Sequence, residues 1–158
     1  MARELITSWG DYQSAIDRLL ASATQKIWIY DEDLTTLQLE SVSRHEILRR
    51  IAHTGCSDAV QIAVRNATPI RERQPRLLNL LSLYSHSASL QATPEQLAHL
   101  RDSMILVDER HALIRFDRDQ ARSKLLIDEA DEIRPYLKRF TEIWTEGGEG
   151  ISSTALGL

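Results

Sequence analysis

Two stretches of this chain bring residues capable of chemistry close together. Asp31-Glu32-Asp33 is a run of three carboxylates. At the end of a strand such a run can share a divalent ion or divide acid and base work, or it can form a solvated loop that caps the next element. Arg65, Arg71, Arg73 and Arg76 cluster around Thr68-Pro69. Guanidinium groups take phosphate or carboxylate bidentately; a solvated basic turn is the plainer alternative. The histidines are His45, His53, His86, His99 and His111, and none shows HExxH or another tight metal-ligand spacing. His86, in the polar segment Tyr84-Ser85-His86-Ser87, could move a proton. Cys56 stands alone, and no GxGxxG, Walker loop, CxxC pair or GxSxG elbow is present. The residues call for no cofactor and no metal.

These groups need elements to position them. Tyr12, Ala15, Ile16, Leu19 and Leu20 recur at helical spacing between Ser8 and Ala23, with Asp11 near the expected N-cap. Lys26 to Asp31 reads as a short buried strand, rich in β-branched and aromatic residues. A helix is predicted over Ser43 to His53, closed by Gly55, and a strand over Val60 to Val64. Pro75 to Tyr84 reads as a helix with proline in its first turn, and Ser87 to Gln91 as a short strand. Ser103 to Val107 is the clearest strand. Asp108-Glu109-Arg110 turns it into a hairpin with His111 to Phe116, and Lys124 to Ile127 reads as a further strand on composition. Glu129 to Glu146 is an amphipathic helix carrying Ile133, Leu137, Phe140, Ile143 and Trp144. Alternation of helix and strand, closed by a hairpin, predicts an α/β fold with a mixed, partly parallel sheet and helices on both faces. The expected organisation is one domain over residues 1–146 and a flexible C-terminal tail over 147–158.

Composition narrows the class of function. The chain has 158 residues, 42% of them hydrophobic and 27% charged, and a net charge of −4. That sign argues against a dedicated nucleic-acid binder, which carries a basic footprint, and leaves a local basic patch open. A lone cysteine suits a reducing compartment. The longest apolar runs, Ile27–Tyr30 and Met104–Val107, are far short of a bilayer span, and no apolar segment follows the charged N-terminus as a secretory signal requires. A cytoplasmic protein with no membrane contact is the expectation.

The order of elements resembles one half of a phospholipase D-like protein over roughly residues 8–146. Four pieces carry the likeness: Ser14-Ala15-Ile16 leading into Lys26–Tyr30; Leu48–Ile51 passing Gly55 into Val60–Val64; Ser103–Ile114; and the aromatic closing helix Tyr136–Trp144. The third piece is similar to the family's signature strand and hairpin, in which an HxKxxxxD motif ends at an aspartate before a turn. If Asp108 takes the aspartate position, Ser103 takes the lysine position and Arg101 the histidine position. The resemblance implies phosphodiester cleavage by a histidine nucleophile with lysine stabilising negative charge. Arginine stays protonated and is no nucleophile, and serine supplies no cation. Arg115-Phe116 also replaces the small Gly-Ser expected after the hairpin. His99 and Arg101 could restore an H-x-R pair after a two-residue slip, but that displaces the pair by roughly 6–7 Å, more than catalysis tolerates.

The expected function is therefore a non-catalytic phospholipase D-like module. Tyr30, Asp31, Arg65, Asn66, Arg101, Ser103 and Asp108 would form a ligand-binding edge for an anion, a phosphate-containing ligand or a protein partner. The resemblance also implies pairing of two halves, hence a homodimer. The alternative is a phosphodiesterase or nuclease with an altered site built on His99 or His86.

Overall fold

A computed structural model describes residues 1–151. Strand β2 (Ile27–Asp31) alternates as the sequence predicts: Ile27 and Ile29 face one side, Trp28 and Tyr30 the other. Strands β3 (Val60–Val64) and β4 (Ala88–Ala92) extend the sheet from it in parallel order. On its other side β2 meets β5 (Ser103–Val107) antiparallel, and beyond it lie β6 (His111–Arg115), β7 (Ser123–Ile127) and β1 (Ala2–Ile6). With β8 (Glu149–Ile151) beside β4, the sheet has eight strands in the order β1-β7-β6-β5-β2-β3-β4-β8. The mixed, partly parallel sheet is as expected.

Helices cover both faces. On the first lie α1 (Trp9–Ala21), α2 (Val42–His53) and α4 (Pro75–Leu83), after the short α3 (Thr68–Arg73). Tyr12, Ile16, Leu48, Ile51, Leu77 and Leu80 from these helices pack on Ile27, Ile29, Ile62 and Ile105. The second face carries α5 (Ala130–Glu146), whose Ile133, Phe140 and Ile143 cover Tyr30, Met104, Leu106, Ile114 and Leu126. Phe140 stacks between Trp28 and Trp144, with centroids 5.4 and 6.0 Å away. Among the described residues no helix is long and apolar enough to cross a membrane.

Three elements lie outside the expected set. Residues Ala2–Ile6 form a strand because β7 supplies hydrogen-bond partners more than a hundred residues away, a contact that local pattern does not encode. Thr68-Pro69 opens α3 rather than a bare turn. The tail reading is corrected over Glu149–Ile151, which extends the sheet along β4. Gly148 makes that approach feasible: its φ is +143°, and a Cβ there would stand 1.8 Å from the Ala92 carbonyl oxygen. Residues 152–158 of the predicted tail lie outside the described residues. The first helix is capped by Ser8, whose Oγ accepts the Asp11 amide at 3.1 Å.

The hairpin also sets a pH response. Asp128 N–H donates to Nδ1 of buried His111 at 3.0 Å, a bond that requires an unprotonated nitrogen. Burial, aided by Arg110, holds the imidazole below its ordinary value against the opposing pull of Asp128. The unfolded chain then binds the proton more readily. Stability from this bond is complete above pH of about 6.5 and declines as pH falls through the lower folded value. Thermal melts at pH 7 and pH 5 should show a drop that is smaller in His111→Gln.

Candidate functional site

The carboxyl ends of β2, β3 and β4, the start of β5 and the end of β6 fall on one edge of the sheet, where α/β folds place their sites. Register puts four polar residues in a row beneath α1. Ser123 pairs Arg115, and Arg115 pairs Ser103. Tyr30 pairs Met104, so Asp31 stands beside Ser103. All four are buried, an unusual density of polar groups in a core.

Arg115 closes this row. Its Nη2 donates to Asp31 Oδ1 at 3.0 Å and its Nη1 to the Arg118 carbonyl at 2.7 Å. The rings of Trp9 and Tyr12 lie 5.4 and 5.1 Å from the guanidinium carbon, so aromatic faces share the cation. Both charged side chains of the pair are 2% exposed. Asp31 Oδ2 accepts the Leu34 amide at 2.8 Å and so also builds the turn after β2. Burial pushes the Tyr12 phenol above its ordinary value, with Arg115 opposing and Asp31 reinforcing the rise. Ser103 Oγ and Arg115 Nε have no partner among the described residues.

Tyr30 and Arg65 belong to the opposite face. The Arg65 guanidinium lies 4.9 Å over the Tyr30 ring, its Nε donates to Glu32 at 2.9 Å and its Nη1 to the Asp102 carbonyl at 2.8 Å. Burial raises the Tyr30 phenol above its ordinary value, with Arg65 opposing. Glu32 also holds Arg118 at 2.7 Å, and Asp102 holds Arg139 at 2.9 Å. Asn66 is exposed, and its Oδ1 accepts the Thr68 amide at 3.1 Å at the start of α3. Arg101 lies outside the buried row, partly exposed and held by Asp117 and Asp119. Arg65, Arg101, Arg115, Arg118 and Arg139 thus each pair with a carboxylate of this chain, while Arg65 Nη2, like Arg115 Nε, has no partner among the described residues.

Asp108 does not join these residues. It sits at the other end of β5, where its carboxylate accepts the amides of Thr24, Gln25 and Lys26 and the Thr24 hydroxyl at 2.8 to 3.0 Å. Its place in a common ligand edge is corrected accordingly: the hairpin turn carries it to the opposite edge of the sheet. His99 precedes β5 on the strand-end edge and His86 precedes β4 on the far edge, so the two cannot share a reaction. Both are exposed. The arginines around Thr68-Pro69 also disperse: Arg65 to Glu32, Arg71 to Glu149 and Arg76 to the Glu40 carbonyl. Among the described residues no group of three or more His, Cys, Asp or Glu side chains is placed to hold a metal.

A family model described as a domain of unknown function, DUF7931, matches residues 9–153. This chain belongs to the DUF7931 family. The DUF7931 domain has the phospholipase D-like fold. It superposes on Nuc from Salmonella typhimurium, a phospholipase D family member, with a TM-score of 0.63 at 12% identity, over 96% of this chain and 98% of that one. NucT from Helicobacter pylori gives 0.58 at 12% identity, covering 94% and 98%. TrmBL2, an archaeal chromatin protein whose structure shows a novel mode of DNA binding, gives 0.70 at 12% identity and covers 94% of this chain. The DUF7931 domain spans about half of TrmBL2, 54% of its length. No curated protein matches the sequence. Identities this low speak for the fold alone.

Within that fold the DUF7931 domain has a site group that sequence reasoning misses. By sequence Arg115 is only a bulky residue after the hairpin, yet its register opposite Ser103 delivers a cation to the buried polar row. The signal is there to be read: counted outward from the turn, Val107 meets His111 and Ser103 meets Arg115.

Proposed function

We propose that this DUF7931 domain is a non-catalytic phospholipase D-like module whose strand-end edge binds a protein partner, in the simplest case a second copy of the chain. One observation carries the reading. The row expected to hold a nucleophile and a free cation contains the buried Arg115–Asp31 ion pair, closed over by Trp9 and Tyr12. A guanidinium neutralised by an internal carboxylate offers little to an incoming phosphate, and no imidazole accompanies it.

The composition of the rim supports a protein partner over an anion. Each arginine named on this edge already pairs with a carboxylate of this chain, so phosphate would compete with an internal anion for it. Trp9 and Phe116 remain 42% and 47% exposed there, and aromatic residues with arginine are the enriched components of protein interfaces. A cytoplasmic setting is part of the same proposal and fits the free, exposed Cys56.

The test uses the purified full chain. At high protein concentration bis(p-nitrophenyl) phosphate should show no turnover above background, and His99→Ala and His86→Ala should leave that result unchanged. Sedimentation should show a dimer whose dissociation constant rises at least about tenfold in Trp9→Asp or Phe116→Asp, as expected for interface aromatics worth over about 1.4 kcal/mol. Turnover abolished by either histidine substitution would return the hydrolase reading. A strict monomer whose melting temperature rises with added phosphate would replace the partner with an anion.

A further inference from the structure

Strand β1 is the unguarded edge of the sheet. On one side it pairs with β7 over five consecutive residues without a bulge. Its other side, the end of the strand order, carries backbone N–H and C=O groups that no strand pairs among the described residues. Folded proteins blunt such an edge with a lysine, a proline, a bulge or a very short strand. The opposite edge follows that rule, since β8 has three residues. β1, Ala2-Arg3-Glu4-Leu5-Ile6, has no lysine, proline or bulge. Its two charges are neutralised within the chain: Arg3 pairs with Glu129 and Glu132 at 3.3 and 3.2 Å, and Glu4 with Arg18 at 2.7 Å. The helices leave the edge clear, because α1 packs chiefly on β6 and β7, and α5 on β6. Leu5 stands 61% exposed on it.

A second copy fits this edge in one register. Antiparallel pairing about a closed two-fold axis keeps α1 of both copies on the same side of the joined sheet. Opposed residues must then come from the same side of the strand, so their numbers differ by an even count. Centring the pair on Arg3 or on Glu4 sets like charges directly opposite, which destabilises a sheet. Centring on Ala2 leaves most of β1 unpaired. Centring on Ile6 draws in Ser8, whose carbonyl and Oγ already accept the Tyr12 and Asp11 amides at the start of α1. Centring on Leu5 meets none of these obstacles. It sets Leu5 against the partner's Leu5, Glu4 against the partner's Ile6 and Arg3 against the partner's Thr7.

We infer that β1 pairs with β1 of a second copy in an antiparallel ladder centred on Leu5, making one continuous sheet through the dimer. This rests on the reading of the strand-end edge as a contact between two copies, and supplies that contact with a strand. β1 ends at Ile6, level with Ser123 and Arg115 of the buried row, and α1 begins shortly after it with the exposed Trp9. Main-chain hydrogen bonds hold the two edges together, as in other strand additions, and both copies of Leu5 leave water.

Disulfide trapping on the full chain, with Cys56→Ser removing the free thiol, tests the register. Opposed Cα atoms of an antiparallel pair stand about 4.5–5.5 Å apart, within disulfide reach, so mild oxidation of Leu5→Cys should give a covalent dimer. Arg3→Cys sets its two thiols roughly 13 Å apart along the strands and should give almost none. Leu5→Lys changes an exposed side chain, so folding is not at stake. It should raise the dimer dissociation constant about fivefold or more in sedimentation, by opposing like charges and removing the apolar contact. Equal cross-linking of Arg3→Cys and Leu5→Cys overturns the register. A dimer weakened by Trp9→Asp but not by Leu5→Lys, with no bridge in Leu5→Cys, overturns the strand pairing and leaves the strand-end contact standing. A strict monomer overturns both.

Discussion

Asp31→Ala is expected to destabilise the protein by about 3–5 kcal/mol, because it leaves the Arg115 guanidinium buried without its counter-charge. Both side chains are 2% exposed and 3.0 Å apart, so water cannot easily replace the lost carboxylate. The remaining acceptor is the Arg118 carbonyl, and Arg115 Nε already lacks a partner among the described residues. The substitution also removes the acceptor for the Leu34 amide, loosening the turn after β2. Removing both charges is a different experiment. Asp31→Leu combined with Arg115→Leu abolishes the orphaned cation and should recover part of the loss, as replacement of buried ion pairs by apolar groups does. The interaction energy from urea denaturation of wild type, Asp31→Leu, Arg115→Leu and the double variant should be at least about 1.5 kcal/mol. A cost below about 0.5 kcal/mol for Asp31→Ala, within the range of ordinary surface changes, would mean that the pair is not sealed.

Asp108→Ala should cost about 2–3 kcal/mol, although the sequence places this residue against ligand. Its carboxylate gathers three successive backbone amides and a hydroxyl from the connection between α1 and β2, and hydrogen bonds to a charged acceptor are worth about 1.5–3 kcal/mol where water does not replace them. Thr24 and Gln25 are exposed, so solvent recovers part of the loss. Asp108 also has φ +54°, and Glu109 φ +60°, in the turn between β5 and β6. Aspartate tolerates that conformation better than alanine. Asp108→Asn keeps the turn and one acceptor oxygen, and should therefore lose less. The pH dependence separates the charge from the shape. Burial alone would raise this carboxyl, but the amides of Lys26, Gln25 and Thr24 outweigh it and hold the group below its ordinary value. The unfolded chain therefore takes up the proton first. Stability from Asp108 is complete above pH of about 4 and is lost as pH falls through the lower folded value. Acid melts in which wild type and Asp108→Asn lose stability in parallel below that pH would exclude the charged clamp. The proposed dimerisation should be unaffected in Asp108→Asn, since the residue lies at the far edge of the sheet from Trp9 and Phe116.

How far the sequence reaches is clearest at the hairpin. The apolar run Ser103–Val107 and the polar turn after it announce two antiparallel strands, and the fold supplies both. The same stretch shows why Asp108 does not reach the edge that holds Ser103. Five residues of extended chain carry Asp108 roughly 16 Å from Ser103, so a motif contiguous in sequence spans the full depth of the sheet. Asp31 is legible as a carboxylate at a strand end, but its partner Arg115 lies 84 residues away and carries no local mark of that role.

The chain by itself determined the layers: period-two and period-3.6 patterns bury one side of each element, and burying those sides requires a sheet between helices. It also determined which residues stand before and after the Met104–Val107 run, Arg101, Ser103 and Asp108 among them, since identity at a position needs no coordinates. Only the tertiary structure decided which polar groups meet. Strand register set Ser123, Arg115, Ser103 and Asp31 in one row, sheet pairing recruited β1 and β8, and the turn sent Asp108 to the opposite edge. Ion pairs and edge strands depend on partners distant in sequence, and their energies arise only once the backbone has brought them within hydrogen-bond reach.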